Sequence, residues 1–419
     1  MKVFKFGGSS IRNAAGIRNV EEIVRRSPEC RVVVISALWK TTNTLEEVVR
    51  SFNAGNRQWT GILDRLKSFH VNIMRDLFTE KKHRIFKEIE ESFQDLSQYL
   101  KKQPETDYDK DYDQIVSFGE IWSSKIIHAY LVDQDLPSKW MDIREILKTD
   151  ATFRDAQVHW NSSEERIRKQ IDLEGEHIYM LQGFIAGTSS SLSTTLGREG
   201  SDYTAAILGN MLDAESVVVW KDVPGIMNAD PAFFENPEKL DEISYLEAVE
   251  LAFFGAKIIH PKTIKPLHNK RIPLCVKPFW NPDSSGTIIQ AMEGTVEMNP
   301  ICIKKDDQIL ITIRARDFSF MIEQSLGKIF SIFNACRIKI NLIQNSAISL
   351  SVCADNVAHK VKHLIDDLGK EYRVAYNEDV QLITIRHYTD EAIRQMITGK
   401  EILIEQRSRQ TVHYVLKTQ

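Results

Sequence analysis

The stretch Thr195–Ala206 reads TLGREGSDYTAA, with Arg198 and Glu199 set between two glycines and Ser201 and Asp202 opening an apolar helical run. An arginine on a glycine-bounded loop can grip a carboxylate through two parallel hydrogen bonds, and the free N–H groups of a helix start supply more donors for an anion. Helix capping by Ser201, with Asp202 as a favourable acid in the first turn, accounts for two of these residues. It leaves Arg198 and Glu199 without a structural reason. An acid beside an anion-binding arginine repels the ligand unless it turns away or pairs with a base.

Other stretches carry compatible chemistry. Lys5–Ser10, KFGGSS, follows an apolar strand signal, and its glycine pair lets backbone approach a ligand while successive N–H groups form an anion nest beside a lysine. It is neither GxGxxG nor GxxxxGK[ST], so the common nucleotide-binding folds are not indicated. Ser36, Thr41 and Thr42 in SALWKTTNTLEE fall at the end of a β-branched run, where open α/β sheets bind ligands; capping by Thr44 would explain only the later residues. Glu120 in SFGE reads as the first turn of a helix after a strand, which favours a carboxylate whether or not it has a function. Lys221 and Asp222 end another β run before the turn-rich loop VPGIMNADP, suited to framing a nucleotide, and Lys257 follows a glycine-alanine hinge in FFGAK.

These residues need a scaffold, and the chain alternates in the way that builds one. KVFKF, a glycine turn, a helical stretch through Val24 and RVVVIS form a βαβ opening, which predicts an α/β domain with a mainly parallel sheet. From about residue 58 to 110 the pattern is long, charged and heptad-like, a helical insert laid over the core. The α/β rhythm returns through IYMLQGFIA, TAAILGNMLDAESVVVWKD and NPDSSGTII, breaks near EGTVEMNP, and gives way to two shorter α+β groups suggesting a weak internal repeat. The expected division is therefore 1–290 and 291–419, the second region holding two small modules, the last of them short, with no cluster suited to catalysis.

Composition narrows the class further. At 419 residues about two to three domains are expected. Lys and Arg number 54 against 58 Asp and Glu, a net charge of −4, which gives no electrostatic footprint for nucleic acid or an anionic membrane. Neither a signal peptide nor a long apolar run is evident, so a soluble cytoplasmic protein is expected. The five cysteines, Cys30, Cys275, Cys302, Cys336 and Cys353, are scattered and read as buried free thiols.

Taken in order, KFGGSS, VISALWKTTN, SFGE, TLGREGSDYTAA, KDVPGI, ADP, ISYLEAVELAFFGAKIIHPKTI, IPLCVK and NPDSSGTII resemble the aspartokinases, with the tail resembling the paired ACT modules that follow many of them. The resemblance implies a three-layer αβα amino acid kinase fold followed by two ferredoxin-like ACT modules. It also implies transfer of the ATP γ-phosphoryl group to the side-chain carboxylate of L-aspartate, with Mg²⁺ carried by the ATP phosphates, as the first step toward lysine, threonine and methionine. Lys5, Gly7, Gly8 and Ser9 would hold the transferring phosphate, with Lys257 assisting, and Lys221, Asp222 and Met227 would lie on the nucleotide side. Ser36, Thr42, Glu120, Arg198 and Ser201 would bind aspartate, Arg198 taking a carboxylate and Glu120 the ammonium, with Asp202 orienting the cluster. Ser325, Asn341, Ser346 and Ser349 would mark an effector region, lysine being the favoured effector, and the ACT modules would pair two copies into a homodimer.

The sequence also departs from the family pattern. Glu199 replaces a glycine, Lys221 a threonine, Met227 a tyrosine, Ala232 an arginine, Gln324 a glycine and Asn341 an aspartate. Two alternatives stay open at this point: another amino acid kinase, and an amino-acid-sensing regulatory protein with a degraded kinase domain.

Overall fold

The computed structural model describes every residue except 81, 105–106, 176, 231–233, 235, 257–258, 293–297, 318–319 and 419. It divides into two compact units: Met1–Ile226 with Lys239–Val249 and Ile258–Glu293, and Met227–Glu238 with Glu250–Lys257 and Gly294–Gln419. Two segments that precede residue 290 thus group with the C-terminal one. Among the described residues no helix is long and apolar enough to cross a membrane.

The first unit is built on an eight-stranded sheet. Its strands lie in the order Glu242–Ser244, Thr287–Gln290, Leu274–Pro278, Ser216–Lys221, Lys2–Phe6, Cys30–Ile35, Ile178–Gln182, Ser138–Trp140. All neighbours run parallel except Leu274–Pro278 against Thr287–Gln290. The central strands, VVVI and SVVVW among them, are apolar throughout because helices cover both faces, the signature of a parallel sheet. One of those helices, Gly200–Met211, is buried at almost every position and so lacks an amphipathic stripe.

In the stretch read as a helical insert, the helices Trp59–Leu77 and Arg84–Tyr99 pack onto the main core. Phe93 stacks on Trp122, ring centroids 3.9 Å apart, and the Trp122 indole donates to Ser92. Three local expectations need correction. QIV before Glu120 belongs to a helix, Tyr108–Val116, capped by Asp107, so Glu120 follows a helix rather than a strand. Thr44 does not cap its helix, which begins at Thr41; its hydroxyl donates to the Lys40 carbonyl one turn back. Ser201 does not cap either, because the helix already starts at Gly200 and Glu199 precedes it in the left-handed conformation, φ 54° and ψ 30°.

In the C-terminal unit the repeat reads as two modules, but the strands form one six-stranded antiparallel sheet. The reason is the length of two of them. Ile301–Ala315 and Tyr372–Arg386 are 15 residues each and pair with one another along nearly their whole length, bulging near Gln308. The helices Glu323–Ala335 and Ala358–Glu371 pack on the half nearer Ile309–Ile313, and Asp390–Ile397 packs on Ile383, Ile385 and Val412. All five cysteines are free; Cys30 and Cys353 are buried, whereas Cys275, Cys302 and Cys336 are only half-buried, against the expectation for all five.

Candidate active site

The parallel strands Lys2–Phe6, Cys30–Ile35, Ile178–Gln182 and Ser216–Lys221 end on the same side, and the loops beyond them line one cavity of about 630 Å³. This is the carboxyl edge at which an open α/β sheet offers loops and helix starts to a ligand. Of the residues singled out in the sequence, Lys5, Gly7, Gly8, Ser9, Ser36, Thr42, Glu120, Arg198, Ser201, Asp202, Lys221 and Asp222 all line it.

One end is cationic and glycine-rich. Gly7 and Gly8 leave the first strand, and a side chain on Gly8 would place its Cβ 2.5 Å from the Ala37 carbonyl oxygen, so only glycine lets these two loops close on each other. The Trp39 amide donates to the Gly8 carbonyl at 3.0 Å, and Ser10 donates to Asp222 at 3.2 Å, which fixes the loop from both sides. The following helix starts only at Ala14, capped by Asn13, so its N-terminal amides are not the ones the Gly7–Ser9 loop brings to the cavity.

Asp202 stands beneath that loop in the first turn of Gly200–Met211. Its carboxylate is 2.5 Å from Lys5 Nζ and 3.1 Å from Lys221 Nζ. Burial works to raise its pKa, but the two ammonium groups outweigh burial and hold it below the ordinary value. One buried carboxylate thus holds the Lys5 and Lys221 ammonium groups at this end of the cavity.

The other end presents a different set. Glu120 is 2 % exposed, accepts from the Ala37 amide at 3.3 Å through Oε1, and has no hydrogen-bond partner at Oε2 among the described residues. Burial pushes its pKa up to about 8, since no cation compensates. Arg198 is exposed to the cavity and forms no ion pair among the described residues. Next to it, Glu199 has a buried Oε2 without a partner among the described residues and acts electrostatically on His260, whose pKa burial lowers although Glu199 opposes it.

Sequence reasoning missed several lining residues, among them Trp39, Tyr112, Arg154, Phe184, Thr195 and Trp220. It also missed Asp113 behind them. The Asp113 carboxylate accepts from Thr195 N and Oγ1 at 2.8 and 2.7 Å and from Arg154 N at 3.0 Å, stapling two distant turns together. Burial raises its pKa to about 6 despite those bonds. The only sequence signal was a DYD cluster next to an apolar run, which by itself says helix surface.

Some expected residues lie elsewhere. Met227 is in the C-terminal unit and not among the residues lining the cavity. Lys257 and Ala232 fall outside the described residues. In the C-terminal unit Ser325 sits in the helix Glu323–Ala335, while Ser346 and Ser349 belong to the hairpin between Ile340–Asn345 and Ser349–Asp355, the Ser346 amide donating to the Ser349 carbonyl. The Asn341 side chain is engaged internally: it accepts from Lys305 at 2.9 Å and donates to Gln308 and Asp355 at 2.6 and 2.7 Å.

Comparison with known proteins gives this arrangement its context. Residues 1–278 match the amino acid kinase family. The chain is 30% identical over 359 residues to an aspartokinase of Chlamydia trachomatis, covering 79% of this chain and 78% of that one. It is 31% identical over 294 residues to a chloroplastic bifunctional aspartokinase/homoserine dehydrogenase of Zea mays, 68% of this chain; it spans about a third (32%) of that relative's length. In three dimensions it is similar to Escherichia coli aspartokinase III in complex with lysine and aspartate, TM-score 0.85 at 26% identity, covering 100% of this chain and 96% of that one. The same enzyme in complex with aspartate and ADP gives a TM-score of 0.83, at the same identity and coverage.

Proposed function

Because the chain belongs to the amino acid kinase family, among its aspartokinases, we propose that it transfers the γ-phosphoryl group of ATP to the side-chain carboxylate of L-aspartate, giving 4-phospho-L-aspartate and ADP. The observation that carries the reading is the presence of Arg198, in no ion pair among the described residues, and the buried carboxyl of Glu120 in one cavity with the Lys5–Asp202–Lys221 cluster. An α-amino dicarboxylate offers an ammonium to Glu120 and a carboxylate to Arg198, and the cationic end suits polyphosphate.

A carboxylate oxygen of aspartate attacks the γ-phosphorus, the bond to the β,γ-bridging oxygen breaks, and ADP carries that electron pair away. The nucleophile is already ionised near neutral pH, so catalysis rests on alignment and charge neutralisation rather than on a general base. Lys5 and the Gly7–Ser9 amides face the equatorial oxygens, where negative charge accumulates, and Lys257 joins them by family correspondence. For Mg²⁺ the described residues offer no group of three or more acidic, histidine or cysteine side chains. Asp222, exposed at the cavity mouth and in no ion pair among the described residues, fits one contact to an ion that ATP brings, whereas both oxygens of Asp202 are taken by lysines. Such an ion would neutralise phosphate charge.

We assign 1–290 to catalysis and 291–419 to two ACT-like modules that sense an amino acid, lysine being favoured, and join two chains. Supporting the pairing, the edge strand Ile340–Asn345 leaves Ile343 exposed, and Phe320, Ile322 and Ile348 are exposed nearby, linked through the Met321 amide to the Ala347 carbonyl. Trapping aspartyl hydroxamate from Mg-ATP, L-aspartate and hydroxylamine tests the activity. No product from folded protein would favour a sensor with a degraded kinase domain, the reading Met227 and Ala232 support. Adding lysine, threonine or methionine to the same assay identifies the effector.

A further inference from the structure

Arg154 lines the same cavity as Arg198, and its backbone is left-handed, φ 68°, a conformation that side chains with a Cβ rarely adopt. Such an outlier persists only where its surroundings hold it. Here they do so three times over. The Asp113 carboxylate takes the Arg154 amide and ties it to Thr195, three residues before Arg198. The guanidinium carbon lies 4.4 Å from the centroid of the Tyr112 ring, itself fixed by a 2.8 Å hydrogen bond to Glu46. Nη1 meets Asp109 at 3.1 Å, while Nε and Nη2 make no hydrogen bond among the described residues. The Arg154 carbonyl oxygen lies 3.3 Å from where a Cβ on Gly197 would stand, so the two arginine turns are in contact.

We propose that Arg154 is a second carboxylate-binding residue of the acceptor subsite, so that Arg154 and Arg198 together select an amino acid with two carboxylates. The inference rests on the phosphotransfer reading and adds to it a specificity determinant that the spacing of TLGREG does not include. A stacked guanidinium with one edge committed to Asp109 still offers the remaining donors for a bidentate grip. Its physical signature is unusual: a glycine at 154 relieves the backbone while removing the grip.

Steady-state kinetics on Arg154→Gly and Arg154→Lys decide it. The expected result for Arg154→Gly is a rise of about tenfold in KM for aspartate. KM for ATP stays near wild type and the thermal midpoint is equal or higher. Arg154→Lys recovers part of the aspartate affinity through its charge. An unchanged KM for aspartate in Arg154→Gly overturns the assignment, as does a loss that falls equally on both substrates and is not relieved by lysine, which would mark Arg154 as a structural residue. Wild-type protein that forms no aspartyl hydroxamate would remove the underlying phosphotransfer reading instead, and this inference with it.

Discussion

Arg198 and Glu199 are neighbours in sequence with opposite consequences for the ligand. On the proposed reading Arg198, in no ion pair among the described residues, takes a carboxylate of aspartate, so Arg198→Ala should raise KM for aspartate on the order of a hundredfold with KM for ATP little changed. Glu199 occupies a left-handed position that costs a residue with a Cβ about 1 kcal/mol. Glu199→Gly should therefore raise the unfolding free energy by about that amount, read as a higher denaturation midpoint, and leave aspartate affinity near wild type; the reverse ranking of the two variants would misplace the substrate. Glu120 carries a pH signature. Its folded pKa is raised from 4.5 to about 8, so the folded chain holds an extra proton between those values and this residue's contribution to stability falls as pH rises through that window. Binding an ammonium needs the carboxylate, so aspartate affinity should climb with pH up to about 8 and flatten above it. Glu120→Gln should abolish both trends, with thermal melts and aspartate titrations across the window as the readouts. Residue type and glycine spacing made Lys5, Arg198 and Asp202 legible in the sequence. Asp113 was not, because what makes it matter is a carboxylate reaching Thr195 across 82 residues, and no local pattern encodes such a bond.

At the scale of elements, strand ends and glycine loops explain why the site lies where it does. The runs KVFKF, RVVVIS and ESVVVW announced parallel strands because both of their faces are buried, and hydrophobicity alone records that. Helix starts were read less well. Ser201 and Thr44 have capping chemistry, but Glu199 and the turn Leu38–Thr41 open those helices, since tertiary contacts at the cavity fix the chain direction first. The QIV run failed for a related reason: three apolar residues before a helix cannot be distinguished from the last turn of another helix. Gly8 gives the sharpest test at this scale. Gly8→Ala has no room beside the Ala37 carbonyl and must part the two loops, so if these hold the ATP phosphates as proposed, kcat/KM for ATP should drop on the order of a hundredfold while the rest of the fold survives. Circular dichroism with ATP kinetics would show the two effects separately.

For the molecule as a whole, assembly and sensing are proposed for the C-terminal unit and the chemistry for the first. If two chains pair through the exposed edge near Ile340–Asn345, Phe320→Asp with Ile343→Lys should shift sedimentation from twice the chain mass to once, because charges on an apolar edge oppose strand-to-strand association. Wild-type protein sedimenting as a monomer would remove that interface. The same unit holds a feature with a thermodynamic meaning. Ile301–Ala315 and Tyr372–Arg386 each contribute hydrogen bonds to both halves of the sheet, so neither half keeps its ladder if the other melts. The two modules, although readable as a repeat, are therefore a single cooperative block: they should open to hydrogen exchange together, and a destabilising change in one should loosen the other by the same free energy.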